Sequence, residues 1–406
     1  MAFAHQVGGH ANTILASPLS ASTLIKPSST RELAFYQHLA PSLDPNLVGE
    51  YTPAFYGTLK LAGKVAPEGG IASLDAEGGD AEPEMLVLEN LTYRFVRPNV
   101  LDIKLGTQLF DEDASPDKQE RMRLAASSST SAEAGVRLTG FQVWDAAGGR
   151  YVQTPKPFGR ALGVDELPLG VARFFYPPLS GPSRAELAAA SPSSPSLSNT
   201  PGPSSSASPS TSSAPPPTAS SPSPSPLPLD LLLPVLRTLV RRLDDLVDVW
   251  STLPLRMRGG SLLVVVEGDP DALEAALVRA QEDAGRGASS SSSARRKAEE
   301  KESEGKGEGE GEAYGEEEDD DDDASSVSTT TSNGTAAPHT LQAFDVRIID
   351  FAHTRALLPG EEEDGSDEGV LLGLRTVRGL VDGLVRRLRE EQRREEQEQE
   401  GEARER

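Results

Sequence analysis

Asp102 and Lys104 stand two apart in the run Pro98-Asn99-Val100-Leu101-Asp102-Ile103-Lys104-Leu105-Gly106. On a strand that spacing puts a carboxylate and an ammonium on one face. Lys104 would suit an anionic ligand, and Asp102 would suit the hydroxyls of a sugar. On spacing alone the plainer alternative is an exposed strand face with a surface ion pair, worth little. Asp350 ends the apolar run Arg347-Ile348-Ile349 and is followed by Phe351-Ala352-His353. A buried strand end is a poor place for an unpaired charge. It is a good place for a carboxylate that binds Mg²⁺, which needs few oxygen ligands and keeps several waters. A solvated strand end or a turn-capping Asp is the alternative. His353 could contact a phosphate or cap a turn. Lys26 lies in Thr23-Leu24-Ile25-Lys26-Pro27, with Glu32 six residues on. A Lys on a strand followed by a Glu on a helix is one way to aim an ammonium at nucleotide phosphates. A surface Lys on an edge strand beside Pro27 is the alternative.

The elements that must hold these residues are mixed. Arg31–Leu39 has helical spacing, with Ser29 or Thr30 as its cap. Glu84–Leu88 reads as a buried strand ending at Glu89, and Asn99–Gly106 alternates as a half-buried strand does. Ser261–Val266 and Phe344–Phe351 are strongly strand-like, whereas Leu231–Trp250 and Gly373–Leu388 repeat apolar residues at helical spacing. Strands and helices alternate irregularly, which predicts an α+β fold rather than a regular βαβ array.

The chain has 406 residues, of which 36% are hydrophobic, and 39 basic against 63 acidic residues give a net charge of −24. That balance argues against direct nucleic-acid binding, which normally shows a basic footprint. The absence of Cys excludes a disulfide scaffold, thiol catalysis and Cys-ligated metals. No charged leader and no membrane-length apolar run is found, so an intracellular protein without a membrane span is expected.

Low-complexity composition marks two insertions. Residues 190–229 are nearly all Ser, Pro, Thr and Ala, and residues 284–337 hold a serine run and eight consecutive acids, Glu316 to Asp323. Neither composition can bury enough apolar surface to offset the entropy of ordering, so both are expected as disordered loops. The charged tail 386–406 reads as a fraying solvated helix or as disorder.

The order of these pieces resembles the inositol polyphosphate kinase family, whose signature is Pro-x-x-x-Asp-x-Lys-x-Gly. Pro98, Asp102, Lys104 and Gly106 match it in full. Ser261-Leu262-Leu263 and Ile349-Asp350-Phe351 match two further family elements, and Leu88 through Phe95 looks like the family's hinge. His5 to His10, Arg31 to Tyr36, Phe158-Gly159-Arg160 and Gly369 to Leu374 add weaker likenesses. Two positions depart from the pattern. The hinge has Glu89-Asn90 where the family often has Glu-Asp, and Gly260 stands where a second Ser is common.

The resemblance implies a two-lobed, protein-kinase-like or ATP-grasp-like fold with ATP between the lobes. Residues 1–90 would form the nucleotide lobe, and 91–189, 230–283 and 338–385 the second lobe. Lys26 would reach the ATP phosphates, oriented by Glu32, and the backbone near Glu89 and Leu91 would meet adenine. Asp102 would bind the ribose. Lys104 would sit between the transferred phosphoryl group and the substrate, Asp350 would hold Mg²⁺, and Ser261 would support that region. Lys118, Arg121 and His353 would contact the inositol phosphate. The implied activity is phosphorylation of inositol trisphosphate to tetrakis- and pentakisphosphate. A hexakisphosphate kinase is the runner-up, and an acidic scaffold binding transcription factors is a different class of alternative. A monomer in nucleus and cytoplasm is expected from the family.

Overall fold

Strand pairing follows the leucine- and valine-rich runs. The computed structural model describes residues 2–8, 13–45, 47–60, 64–65, 71–72, 84–190, 224–284, 341–358 and 365–405. In the N-terminal part, β1 (Leu15–Ala16), β2 (Thr23–Pro27), β3 (Phe55–Lys60) and β4 (Glu84–Glu89) form an antiparallel sheet in the order β1-β2-β4-β3. Lys26 is therefore on an inner strand, opposite Leu86, and not on an edge. Between β2 and β3, the Ser29 hydroxyl accepts the Glu32 backbone N–H at 3.2 Å and caps α1 (Thr30–Ala34). The helix continues as a π-turn over Phe35–Leu39, a wider turn than the expected plain helix. It accompanies two consecutive aromatic residues that both meet Phe351: Phe35 stacks on it at 3.9 Å between centroids, and Tyr36 meets it edge-on at 5.8 Å.

The rest of the chain adds β5 (Pro98–Leu105), β6 (Val136–Asp145), β7 (Arg150–Thr154), β8 (Leu255–Met257), β9 (Ser261–Glu267), β10 (Phe344–Ile349) and β11 (Thr354–Ala356). Five of them form an antiparallel sheet in the order β10-β9-β5-β6-β7, and β8 pairs with β11. The family-signature strand β5 is thus central, and Pro98 to Ile103 are all buried. This corrects the expected half-buried strand. The alternating polar residues do not face bulk water; Asp102 and Lys104 face a cleft, and Asn99 Oδ1 accepts the Trp144 backbone N–H at 2.6 Å.

Further helices include α2 (Pro116–Ser127), α3 (Lys156–Ala161), α4 (Leu167–Phe175), α5 (Leu229–Ser251), α6 (270–284) and α7 (Glu368–Glu405). Leu232, Leu236, Leu239, Leu243 and Leu246 form a buried stripe on α5, which packs along Val370, Leu374, Val377 and Val381 of α7. The charged tail is helical through Glu405, continuing α7. Most of both expected insertions lies outside the described residues. The end of the first does not: Ser225 donates to Asp145 Oδ1 at 2.9 Å, and Leu227 is buried between Pro226 and Pro228. Proline fixes an extended backbone there at little entropic cost and leads the chain into α5. Among the described residues no helix is long and apolar enough to cross a membrane.

Candidate functional site

A cleft of about 950 Å³ lies between the two sheets. Lys26 enters it from β2, Glu89 and Leu91 from the hinge, Asp102 and Lys104 from β5, and Asp350 and His353 from the turn after β10. Residues separated by more than three hundred positions meet here. Lys26 Nζ donates to Glu32 Oε1 at 2.7 Å and to Asp350 Oδ1 at 2.6 Å. Glu32 is 1% exposed, so this ammonium offsets the charge of a buried carboxylate. Burial favours the neutral amine, but Asp350 and Glu32 outweigh it and hold Lys26 charged well above its ordinary range. Burial also opposes ionisation of Asp350. Lys26 and then Lys104 overcome that and keep its carboxyl below the usual range. For Glu32 burial wins, and its carboxyl is pushed up.

Asp350 has φ of 66°, and among the described residues no other non-glycine has a positive φ. Left-handed backbone costs an ordinary residue about 1–2 kcal/mol, and Asp tolerates it better than most. The turn aims the carboxylate back toward Lys26 directly after the strand ends.

Asp102 is buried, and its Oδ1 has no hydrogen-bond partner. Burial raises its carboxyl to about 6; Lys104 pulls it down and Asp350 pushes it up. An unpaired buried acceptor is costly unless a ligand donates to it. The N-terminal segment closes over the same group: a Cβ on Gly8 would fall 1.6 Å from Asp102 Oδ2, so only glycine fits there. Lys104 Nζ donates to the carbonyl of Gly259, in the turn before β9. Ser261 sits opposite Lys104 in the β5–β9 register, fully buried behind the cleft wall.

The hinge is built from polar side chains. Asn90 Oδ1 accepts the Thr92 backbone N–H at 3.1 Å, and its amide donates to Ala21 O at 2.8 Å. Asn90 thus shapes the turn that follows Glu89 through an Asx-type bond. Glu267, 1% exposed, accepts the backbone N–H groups of Val96 at 2.6 Å and Arg97 at 2.8 Å.

Lys118 and Arg121 lie on α2 and do not line the cleft. Arg137, Lys156 and Arg160 do, and sequence reading did not assign them. Arg137 is opposite Lys104 in the β5–β6 register. Burial and then the neighbouring Arg160 disfavour its charge, while Asp102 favours it. Lys156 and Arg160 are four apart on α3, one helical turn, and so share a face. That spacing was visible in Lys156-Pro157-Phe158-Gly159-Arg160. Arg137 carried no local signal, because its position depends on strand pairing.

Comparison with known proteins gives the same grouping. A family model described as inositol polyphosphate kinase matches residues 85–191 and 230–382. The chain belongs to the inositol polyphosphate kinase family. Within that family it is 29% identical over 181 residues to the inositol polyphosphate multikinase of Schizosaccharomyces pombe, covering 43% of this chain and 62% of the relative. It is 31% identical over 163 residues to that of Saccharomyces cerevisiae, covering 34% of this chain and 45% of the relative. A shorter match, 40% over 82 residues, is to rat inositol hexakisphosphate kinase 1 and spans 20% of this chain and 19% of that protein. The chain therefore matches less than two thirds of the length of these curated relatives. The fold agrees with a crystal structure of the S. cerevisiae inositol phosphate multikinase Ipk2 in complex with ADP and Mn²⁺. The TM-score is 0.50 at 20% identity, over 90% of this chain and 99% of that one. The two-lobed inositol polyphosphate kinase fold that the resemblance implied is thereby established.

Proposed function

We propose that the protein is an ATP-dependent kinase that phosphorylates soluble inositol polyphosphates, converting the trisphosphate to tetrakis- and pentakisphosphate. The observation that carries this is the polarity of the cleft. It holds Lys26 clasped by Glu32 and Asp350, and Lys104, Arg137, Lys156 and Arg160 line the same cleft. Five cations lining the cleft of a chain of net charge −24 call for a densely anionic ligand.

In this proposal the hinge backbone at Glu89 and Leu91 receives adenine. The unpaired Oδ1 of Asp102 accepts a ribose hydroxyl, and Lys26 meets the nucleotide phosphates. Ser261 backs the wall behind Lys104. Lys104 lies where transferred and acceptor phosphates meet, with Arg137, Lys156 and Arg160 beyond it. His353 lines the acceptor side. Lys118 and Arg121, further out on α2, take the outer phosphates of a bulky anion.

The donor set fits a divalent ion. Among the described residues no group of three or more Asp, Glu, His or Cys could hold one alone. Asp350 would hold Mg²⁺, with nucleotide phosphates and water completing the shell, as is usual for that ion. Bound there, Mg²⁺ would neutralise phosphate charge. The chain's own share is positioning and electrostatics, because phosphoryl transfer passes through a loose transition state with little covalent work for the protein. Lys26 and Lys104 supply fixed positive charge where negative charge develops.

Similarity to the fungal multikinases supports this reading, and the names of those relatives supply its substrate class. The 40% match to a hexakisphosphate kinase supports the second reading, synthesis of inositol pyrophosphates. The proposal extends to a monomer in nucleus and cytoplasm, with acidic segments that contact transcription factors. The run Glu316–Asp323 motivates that last point and lies outside the described residues.

The test is incubation of purified protein with Mg²⁺-ATP and inositol 1,4,5-trisphosphate, in parallel with the hexakisphosphate, and separation of products by anion exchange. Stepwise conversion of the trisphosphate, lost in Asp350→Ala, is the expected result. Conversion of the hexakisphosphate alone would establish the second reading, and no turnover by folded, ATP-binding protein would leave a scaffold.

A further inference from the structure

The loop after β5 contributes an acid that sequence reading did not single out. Asp111 is 7% exposed, and its Oδ2 lies 2.5 Å from Nδ1 of His353. An ionised carboxylate has no proton to give, so at that distance the imidazole nitrogen must carry the hydrogen. The same Oδ2 lies 3.2 Å from Arg31 NH1, and the other arm of that guanidinium reaches Asp113 at 2.5 Å. The neighbouring Glu112 is engaged elsewhere, with Arg258 and Arg355. Asp111 thus has a cation from α1 on one side and an imidazole on the other. The His353 main chain is tied as well, its carbonyl accepting the Arg258 N–H at 3.0 Å.

We propose that Asp111 is a positioning residue. It fixes the His353 ring as the Nδ1–H tautomer, so that Nε2 is left as an acceptor on the acceptor side of the cleft. Resting on the kinase reading, His353 then accepts the proton of the attacking inositol hydroxyl. The hydroxyl oxygen forms its bond to the γ-phosphorus of ATP while the bond from that phosphorus to the β–γ bridging oxygen breaks. ADP leaves, and the proton passes from the hydroxyl to Nε2 and later to water. The Asp111 carboxylate stabilises the imidazolium while it lasts, and Arg31 offsets the carboxylate's charge between turnovers. In a histidine side chain with no partner the Nε2–H tautomer predominates, so without Asp111 the ring would present a donor to the substrate hydroxyl instead of an acceptor. Loss of the correct tautomer is a known route to a large fall in kcat with geometry intact.

The test has two arms on the full-length chain. In the first, ¹⁵N-histidine-labelled protein is examined by NMR at pH 8, with the His353 signals assigned by their loss in His353→Gln. Wild type should show a protonated Nδ1 and an unprotonated Nε2, and Asp111→Asn should reverse them. This arm needs no turnover. In the second, steady-state rates with the trisphosphate are measured. Asp111→Asn and His353→Gln should each lower kcat by about 100-fold, the low end for general acid–base catalysis. KM for ATP should change less than about twofold, and the double variant should lose no more than either single one. His353 is partly exposed, so its variant keeps the test open should Asp111→Asn fail to fold. An Nε2–H tautomer in wild type overturns the positioning role. A His353→Gln enzyme with wild-type kcat overturns the proton transfer. Absence of turnover by wild type would remove the kinase reading and the proton transfer with it, leaving the tautomer arm to decide whether Asp111 orients the ring.

Discussion

Two residues set the chemistry at the smallest scale. Among the described residues Lys26 is the only cation within hydrogen-bond distance of Glu32, and Glu32 is buried. Lys26→Met should abolish ATP turnover and also cost about 3 kcal/mol of stability, because it strands a buried carboxylate. Adding Glu32→Gln should return much of that stability and none of the activity, which chemical denaturation and a kinase assay would separate. Asp102 makes a pH prediction. Its carboxyl titrates at about 6, above the usual range. A group whose folded pKa is raised binds its proton more tightly in the folded state, so its contribution to stability falls as pH rises from about 4 to about 6. Asp102→Asn should therefore flatten stability against pH in that window. Activity runs the other way. KM for ATP should rise as pH falls through about 6, because the protonated carboxyl is a weaker acceptor for a ribose hydroxyl, and Asp102→Asn should remove that dependence. Initial rates from pH 5 to 8 and unfolding curves over the same range check both signs.

At the scale of elements, what could be read from the sequence depended on whether a signal was local. β4, β9 and β10 came directly from apolar runs that no breaker interrupts, and α5 from a leucine spacing that persists for several turns beyond Pro234, which lies inside the helix. The burial of β5 was misread for a physical reason. Its polar residues alternate as on a solvent-facing strand, yet they point into an internal cleft and at β6. Lys26, Asp102, Lys104, Asp350 and His353 were legible because motif order identified them together. Arg137 and Asp111 were not, since only pairing of β5 with β6 and folding of the loop after β5 bring them to the site. The hinge shows the same limit. Glu267 closes a strand in sequence, but in space it binds the two amides that directly follow the hinge, Val96 and Arg97. Glu267→Ala leaves both donors without their charged acceptor. It should destabilise the protein by about 2–3 kcal/mol, read by urea unfolding. It should also accelerate hydrogen exchange at Val96 and Arg97 more than elsewhere, and raise KM for ATP because the hinge is the proposed adenine contact.

Across the whole molecule, the charge distribution poses a problem that the fold resolves. A chain of net charge −24 repels a polyanion at long range. That repulsion is screened beyond about 8 Å at physiological ionic strength, whereas contacts inside a cleft are screened far less. Lys104, Arg137, Lys156 and Arg160 line one cleft from three elements, β5, β6 and α3. In the proposed function, short-range attraction therefore has to dominate binding of the acceptor, while the nucleotide depends on Lys26. Lys156→Gln with Arg160→Gln tests that division, because both residues belong to α3 and not to the sheet, and neither is fully buried. The double variant should raise KM for the trisphosphate by about 100-fold, taking roughly 1.4 kcal/mol for each charge-assisted hydrogen bond removed. KM for ATP should stay within about twofold. Between 0.05 and 0.3 M salt, KM for the trisphosphate should climb in wild type and climb less steeply in the variant, which has fewer cations left to screen. Equal losses for both substrates would mean that α3 holds the cleft open as a scaffold and that the acceptor is bound elsewhere.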